Sequence, residues 1–94
     1  MRTFTSLDEV SAAANSDLGP SEWFEIDQDR INTFADATLD HQWIHVDPVA
    51  AAAGPFQTTI AHGFLTLGLL PHLGSLVFAL DTPGAKLNYG LDKV

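Results

Sequence analysis

The longest apolar pattern in the chain runs from Ile60 to Leu80, "IAHGFLTLGLLPHLGSLVFAL". At about 100° per residue, Phe64, Leu65, Leu67, Leu69, Leu70 and Leu73 spread around most of a helix circumference, and a helix apolar on all sides has to be enclosed. The pattern predicts a helix from Ile60 to Leu76, about 25 Å long. Pro71 should bend it and free the carbonyl of Leu67. Upstream, Asp27 precedes "QDRINTFADAT", where Ile31, Phe34 and Ala35 share one helical face. "SLDEVSAAANSDLG" reads as a first helix, with Ser6 as cap, Glu9 completing a capping box and Gly19 as terminator. "SEWFEI" (21–26) alternates as a short strand does, and the tail "AKLNYGLDKV" (85–94) suggests another. Residues 39–46 match neither period and read as a loop. Asp47-Pro48 then starts a short helix that Gly54-Pro55 stops. One all-round apolar helix with about two strands to wrap it leaves the helix short of cover. A segment that should enclose it is expected beyond these 94 residues.

Composition narrows the function classes. Ninety-four residues with a hydrophobic fraction of 46% suit one small folded domain. Twelve acidic groups against four basic ones give a net charge of −8. Arg2, Arg30, Lys86 and Lys93 are scattered, so no basic stripe is available for a nucleic-acid backbone or an anionic membrane. Cysteine is absent, which removes disulfides, thiol nucleophiles and thiolate metal sites together. "MRTFTSLDEV" lacks the apolar run of a signal peptide, and no stretch approaches the roughly 18 apolar residues of a membrane span. A soluble, cytoplasmic domain is expected, with neither nucleic acid nor membrane as partner.

Candidate chemistry concentrates in "TLDHQWIHVDP" (38–48). "HQWIH" (41–45) has the histidine spacing of a helical zinc motif, but Gln42 stands where the catalytic Glu would be and no helical context is expected there. No metal is expected. Asp40 and His45 are the alternative: a carboxylate and an imidazole from one irregular loop can converge on a single water, and an imidazole gives or takes a proton near neutrality. On spacing alone the plainer reading, Asp40 capping a turn and His45 in solvent, weighs more. His41 competes with His45 as partner of Asp40, although adjacent residues on an extended segment point apart. A third feature is "TIAHGFLT". Gly63 opens the apolar helix, where backbone N–H groups are unpaired and a carbonyl gaining negative charge would be stabilised. The plainer reading is that Gly63 permits close packing and His62 has no special role.

Taken together, the run from Phe34 through "ADATLDHQWIH" to Ala51, then "AHGFLTLGLLPHL" and "KLNYGLDKV", resembles the MaoC-like dehydratases, the (R)-specific enoyl-CoA hydratase family. There an aromatic residue leads into a Gly-Asp-x-Asn-Pro-(Leu/Ile/Val)-His loop, with a small residue following. Phe34, Asp40, Ile44-His45 and Ala51 occupy the matching positions, while Leu39, Gln42 and Trp43 replace the glycine, asparagine and proline. Leu39 is expected to alter the turn or to displace Asp40. The resemblance implies an α+β hot-dog fold, a long central helix wrapped by an antiparallel sheet, here a single domain over 1–94 incomplete at its C-terminus. It implies reversible hydration of a trans-2-enoyl-CoA to an (R)-3-hydroxyacyl-CoA, with Asp40 and His45 catalytic. Gly63, with His62 beside it, would hold the thioester carbonyl, and no metal or redox cofactor is required. Phe56 and Phe64 are candidates for the acyl tunnel, a core role being the simpler expectation for each. A homodimer or higher homo-oligomer is implied. Two other readings stand: a non-catalytic module that binds acyl chains or a partner, and an acyl-CoA thioesterase.

Overall fold

Ser6 and Asp27, the two helix caps written most plainly in the sequence, both start helices, one in each of two units. The computed structural model describes residues 1–94. One unit is Trp23–Leu70; the other combines Met1–Glu22 with Pro71–Val94.

In the second of these, β1 (Arg2–Phe4) is followed by α1 (Leu7–Ala12). The Ser6 hydroxyl accepts from the Glu9 N–H at 3.1 Å. The Glu9 carboxylate reaches one residue further back than a capping box requires, accepting from the Thr5 N–H at 2.7 Å and the Thr5 hydroxyl at 2.9 Å. The helix stops at Ala12, well short of Gly19. After Val10 the sequence offers no large apolar residue until Leu18, so a longer helix would have no face to bury. Asn15 turns the chain instead, at φ 61°.

In Trp23–Leu70, α2 (Gln28–Thr38) begins where the Asp27 carboxylate accepts from the Arg30 N–H at 2.9 Å. It buries Ile31 and Ala35, as the spacing predicts. α3 (Trp43–Val46) is a single turn inside the segment expected to be a loop. Four residues are too few to display a helical period. α4 (Pro48–Ala52) starts as expected, with Asp47 accepting from the Ala50 N–H at 3.1 Å and Pro48 at its first position. A Cβ on Gly54 would meet the Trp43 ring at 2.9 Å, so glycine here lets the indole lie against the chain after α4. α5 (Gly63–Gly68) completes this unit and buries Leu65. Its core comprises Ile31, Ala35, Ala51 and Leu65, with two histidines, His45 and His62, buried beside them.

The long helix expected from Ile60 to Leu76 is replaced by two short ones, α5 and α6 (Leu70–Ser75). Pro71 is the reason. It has no N–H for the Leu67 carbonyl, and its ring is tolerated only in a first turn. Ending one helix at Gly68 and starting another at Leu70 puts Pro71 in that first turn. β2 (Phe78–Leu80) pairs with β1 in parallel, in the register Arg2↔Phe78, Thr3↔Ala79, Phe4↔Leu80. Phe4 is buried there, edge-on to Phe78 at 6.0 Å between centroids. Neither strand was anticipated, because three residues are too few to show alternation. The strands expected at 21–26 and 85–94 do not form, since a strand exists only through a paired neighbour and these segments join no ladder. The chain is thus mixed helix and sheet. Its two-stranded sheet is parallel, where an antiparallel one was expected, and it does not wrap a long central helix. No helix is long and apolar enough to cross a membrane.

Candidate active site

All the polar residues singled out in the sequence around Asp40 lie in Trp23–Leu70. His45 sits in α3 and is buried. Its Nδ1 lies 2.7 Å from the Ile60 carbonyl oxygen. A carbonyl only accepts, so Nδ1 carries the hydrogen and Nε2 keeps a free lone pair. The Ile60 N–H in turn donates to the Ile44 carbonyl at 3.0 Å, which fastens residue 60 to α3. Gln28, at the start of α2, donates from Nε2 to the His45 carbonyl at 2.7 Å and to Asn32 Oδ1 at 3.0 Å. Its Oε1 accepts from the Thr59 hydroxyl at 2.6 Å. His45 is therefore held through its ring, its own carbonyl and the neighbouring residue's carbonyl.

Asp40 follows Leu39, the C-cap of α2, which adopts φ 63°, ψ 24°. The turn is made with leucine in the left-handed region that glycine enters without strain. The Asp40 carboxylate is half exposed, and its Oδ1 accepts only a long bond, 3.4 Å, from the Gln42 N–H. His62, the N-cap of α5, is 2% exposed. Its Nε2 lies 2.9 Å from the Asp40 carbonyl oxygen and 4.0 Å from Asp40 Oδ2. Its ring stacks on that of His45 at 3.8 Å and 22°, and meets Phe34 at 4.8 Å. Asp40, His45 and His62 each bring a nitrogen or carboxylate oxygen to within 4.8 Å of the others. Groups at that separation can share one water at ordinary hydrogen-bond lengths.

Two histidines and a carboxylate are also a known metal-binding set. The two imidazoles are stacked, with centroids 3.8 Å apart at 22°, and are not splayed toward one point. His45 Nδ1 and His62 Nε2 are each engaged by a backbone carbonyl, so neither of these nitrogens is free as a ligand. Nor do the "HQWIH" histidines converge: His41 Nε2 turns away to Asp36 Oδ1 at 2.9 Å, on α2. Asp47 is engaged as the cap of α4.

The remaining sequence candidates are placed differently. Gly63 is the first residue of α5, and a Cβ there would meet nothing within 4 Å, so the space beside its Cα is open. Phe56 and Phe64 are 54% and 77% exposed, outside the core that these 94 residues form by themselves. Sequence reasoning missed Gln28 and Thr59. Gln28 looks like an ordinary surface residue of a first helical turn, and its partners lie 17 and 31 positions away, beyond any spacing rule.

Comparison with known proteins places this chain in a family. Residues 9–94 match the MaoC like domain. The chain belongs to the MaoC-like family. This MaoC-like chain is 56% identical, over all 94 residues, to the 3-hydroxyacyl-thioester dehydratase Z of Mycobacterium tuberculosis (strain H37Rv) and to its counterpart in Mycobacterium bovis. It is 54% identical over 93 residues to Nodulation protein N of Rhizobium meliloti (strain 1021). It spans 62% of the length of the dehydratases and 56% of the nodulation protein. Every site residue described above falls inside the MaoC-like match.

Proposed function

We propose that the chain carries the catalytic pair of an acyl-thioester hydratase, a lyase that reversibly converts a trans-2-enoyl-CoA to an (R)-3-hydroxyacyl-CoA. The observation that carries this reading is the convergence of Asp40 and His45 within reach of one water. The dehydratase name of the mycobacterial relatives supports the reaction class. His45 Nε2, left bare by the bond from Nδ1 to Ile60, takes a proton from the water while the Asp40 carboxylate orients it. The water oxygen bonds to C3 of the enoyl thioester, the C2–C3 π pair moves toward the carbonyl, and an enolate forms. The N–H of Gly63, the first residue of α5, donates to that oxygen. Returning the proton to C2 completes the addition, and the reverse sequence is dehydration. The thioester itself makes C3 electrophilic, so no metal or redox cofactor enters the scheme. Phe56 and Phe64, exposed and apolar, are candidates to meet the acyl chain. The fold we propose for the whole domain is the hot dog, supported by the family match and by the uncovered apolar side chains of α5 and α6.

Incubation with crotonyl-CoA tests the reaction. Loss of enoyl absorbance with CoA retained is expected; release of free thiol would indicate a thioesterase, and no change a binding module. Asp40→Asn and His45→Ala should each lower turnover at least about 100-fold with folding intact, as loss of a general acid or base does. His41→Ala, which removes only the contact with Asp36, should leave turnover nearly unchanged. Activity that depends on His41 and not on His45 would overturn the assignment.

A further inference from the structure

His62 stands where a substrate contact was expected, in the Ala-His-Gly that opens α5, yet at 2% exposure its ring has almost no surface to offer a ligand. What it touches are the two groups assigned to the chemistry. Its Nε2 faces the Asp40 carbonyl at 2.9 Å; because a carbonyl only accepts, Nε2 carries the hydrogen and donates. Its ring lies flat on His45 at 3.8 Å and is backed by Phe34. Its Nδ1 is buried without a hydrogen-bond partner. Buried polar atoms are nearly always satisfied, so a residue chosen only to fill this space would be apolar. The unsatisfied nitrogen is tolerated because the other one is in use.

Asp40 needs such a restraint. It lies between a left-handed Leu39 and the short loop 41–42, and its carboxylate is otherwise tied to the chain only by the 3.4 Å contact with the Gln42 N–H. His45, by contrast, is fixed from three sides. The relative placement of the pair therefore depends on what holds the main chain at Asp40. We propose that His62 is the positioning residue of the Asp40–His45 pair: one buried imidazole, seated against the His45 ring, donates to the Asp40 carbonyl, and that bond sets the gap in which the water sits. This rests on the catalytic assignment of Asp40 and His45 made above.

Two substitutions separate positioning from packing and from substrate contact. In His62→Gln the amide nitrogen reaches about where Nε2 lies, keeping the donor and losing the ring. His62→Phe keeps a ring of similar size and loses the donor. Since misplacing a catalytic group by about 1 Å costs on the order of 100-fold, His62→Phe should lower kcat by about that factor with KM changed less than about threefold, while His62→Gln stays within about tenfold of wild type. Equal losses in both variants would mean that His62 only packs, and a rise in KM at constant kcat would mean that it binds substrate; either result overturns the proposal. Asp40→Asn is assayed alongside. Activity that survives this change removes the pair and the proposal together; activity that collapses in Asp40→Asn but not in His62→Phe removes the proposal alone. Should His62→Phe fail to fold, long-range ¹H–¹⁵N spectra of the wild-type chain decide the matter. They should show the His62 hydrogen on Nε2, and a hydrogen on Nδ1 would break the bond to Asp40 and end the argument.

Discussion

Leu39 shows how much one backbone angle can matter to a site. It ends α2 at φ 63°, and at 82% exposure its side chain gains little from burial in return. The left-handed region costs a residue with a Cβ roughly 1–2 kcal/mol. Glycine would remove that cost but would add unfolded-chain freedom worth about 0.4–1 kcal/mol. Leu39→Gly should therefore stabilise the chain by about 0.5 kcal/mol. Denaturant melts should show a higher midpoint with an unchanged slope, and loss of stability would mean that Leu39 makes an apolar contact that its exposure hides. The sequence marked this position as unusual because leucine stands at the family's glycine. The sequence leaves open whether the turn alters or Asp40 is displaced; in the structure leucine itself takes the left-handed angle. Trp43 is a similar case. Its indole fits against Gly54 because no Cβ is there, a contact between residues eleven positions apart that no local rule encodes.

At the scale of elements, what the sequence revealed depended on where the information was local. The caps at Ser6, Asp27 and Asp47 were readable because a cap is a contact over three residues, and each bonds as expected. The strands β1 and β2 were not readable, because their parallel pairing joins residues 76 positions apart and neither is long enough to alternate. Pro71 was read correctly as a disruption, but its effect is a break and a restart, not a bend. Glu9 offers a test of the local signals. Its bond from the Thr5 N–H, then that from the Thr5 hydroxyl, and last the charge of Arg2, hold its carboxyl below the ordinary 4.5. A carboxylate with a depressed folded value adds stability that is fully present above the unfolded value and is lost as pH falls through the folded one. Glu9→Gln should thus destabilise the chain near neutrality and flatten the acid side of its stability profile below pH about 4.5. Thermal melts across that range check this, and parallel losses at every pH would mean that the charge of Glu9 contributes nothing.

For the whole molecule, the reading of Asp40 with His45 was available from the resemblance, while its bare spacing favoured an ordinary turn. Burial of His45 and the stacking of His62 were invisible in one dimension. The apolar character of the 60–80 segment was plain in the sequence, and the structure turns it into a question of cover. The buried hydrophobic residues are Phe4, Ile31, Ala35, Ala51 and Leu65, two of which are alanines. Phe64, Leu70 and Leu76 remain 77%, 52% and 48% exposed, and Val49 83%. Burying a Leu or Phe side chain is worth about 1.5–3 kcal/mol, against a net stability of about 5–15 kcal/mol for a typical domain. Covering three such side chains would change stability by an amount comparable to the whole. The 94-residue chain by itself is therefore expected to bury them by association, and two-fold pairing is the default for identical chains. Sedimentation at micromolar concentration should show dimers or larger species, with fluorescence from a hydrophobic dye rising as the chain is diluted. Phe64→Ser with Leu76→Ser should shift the population toward monomer and reduce the dye signal. A sharp thermal transition in a monomer that binds no dye would mean that these side chains find cover within the chain, and the case for association would fail.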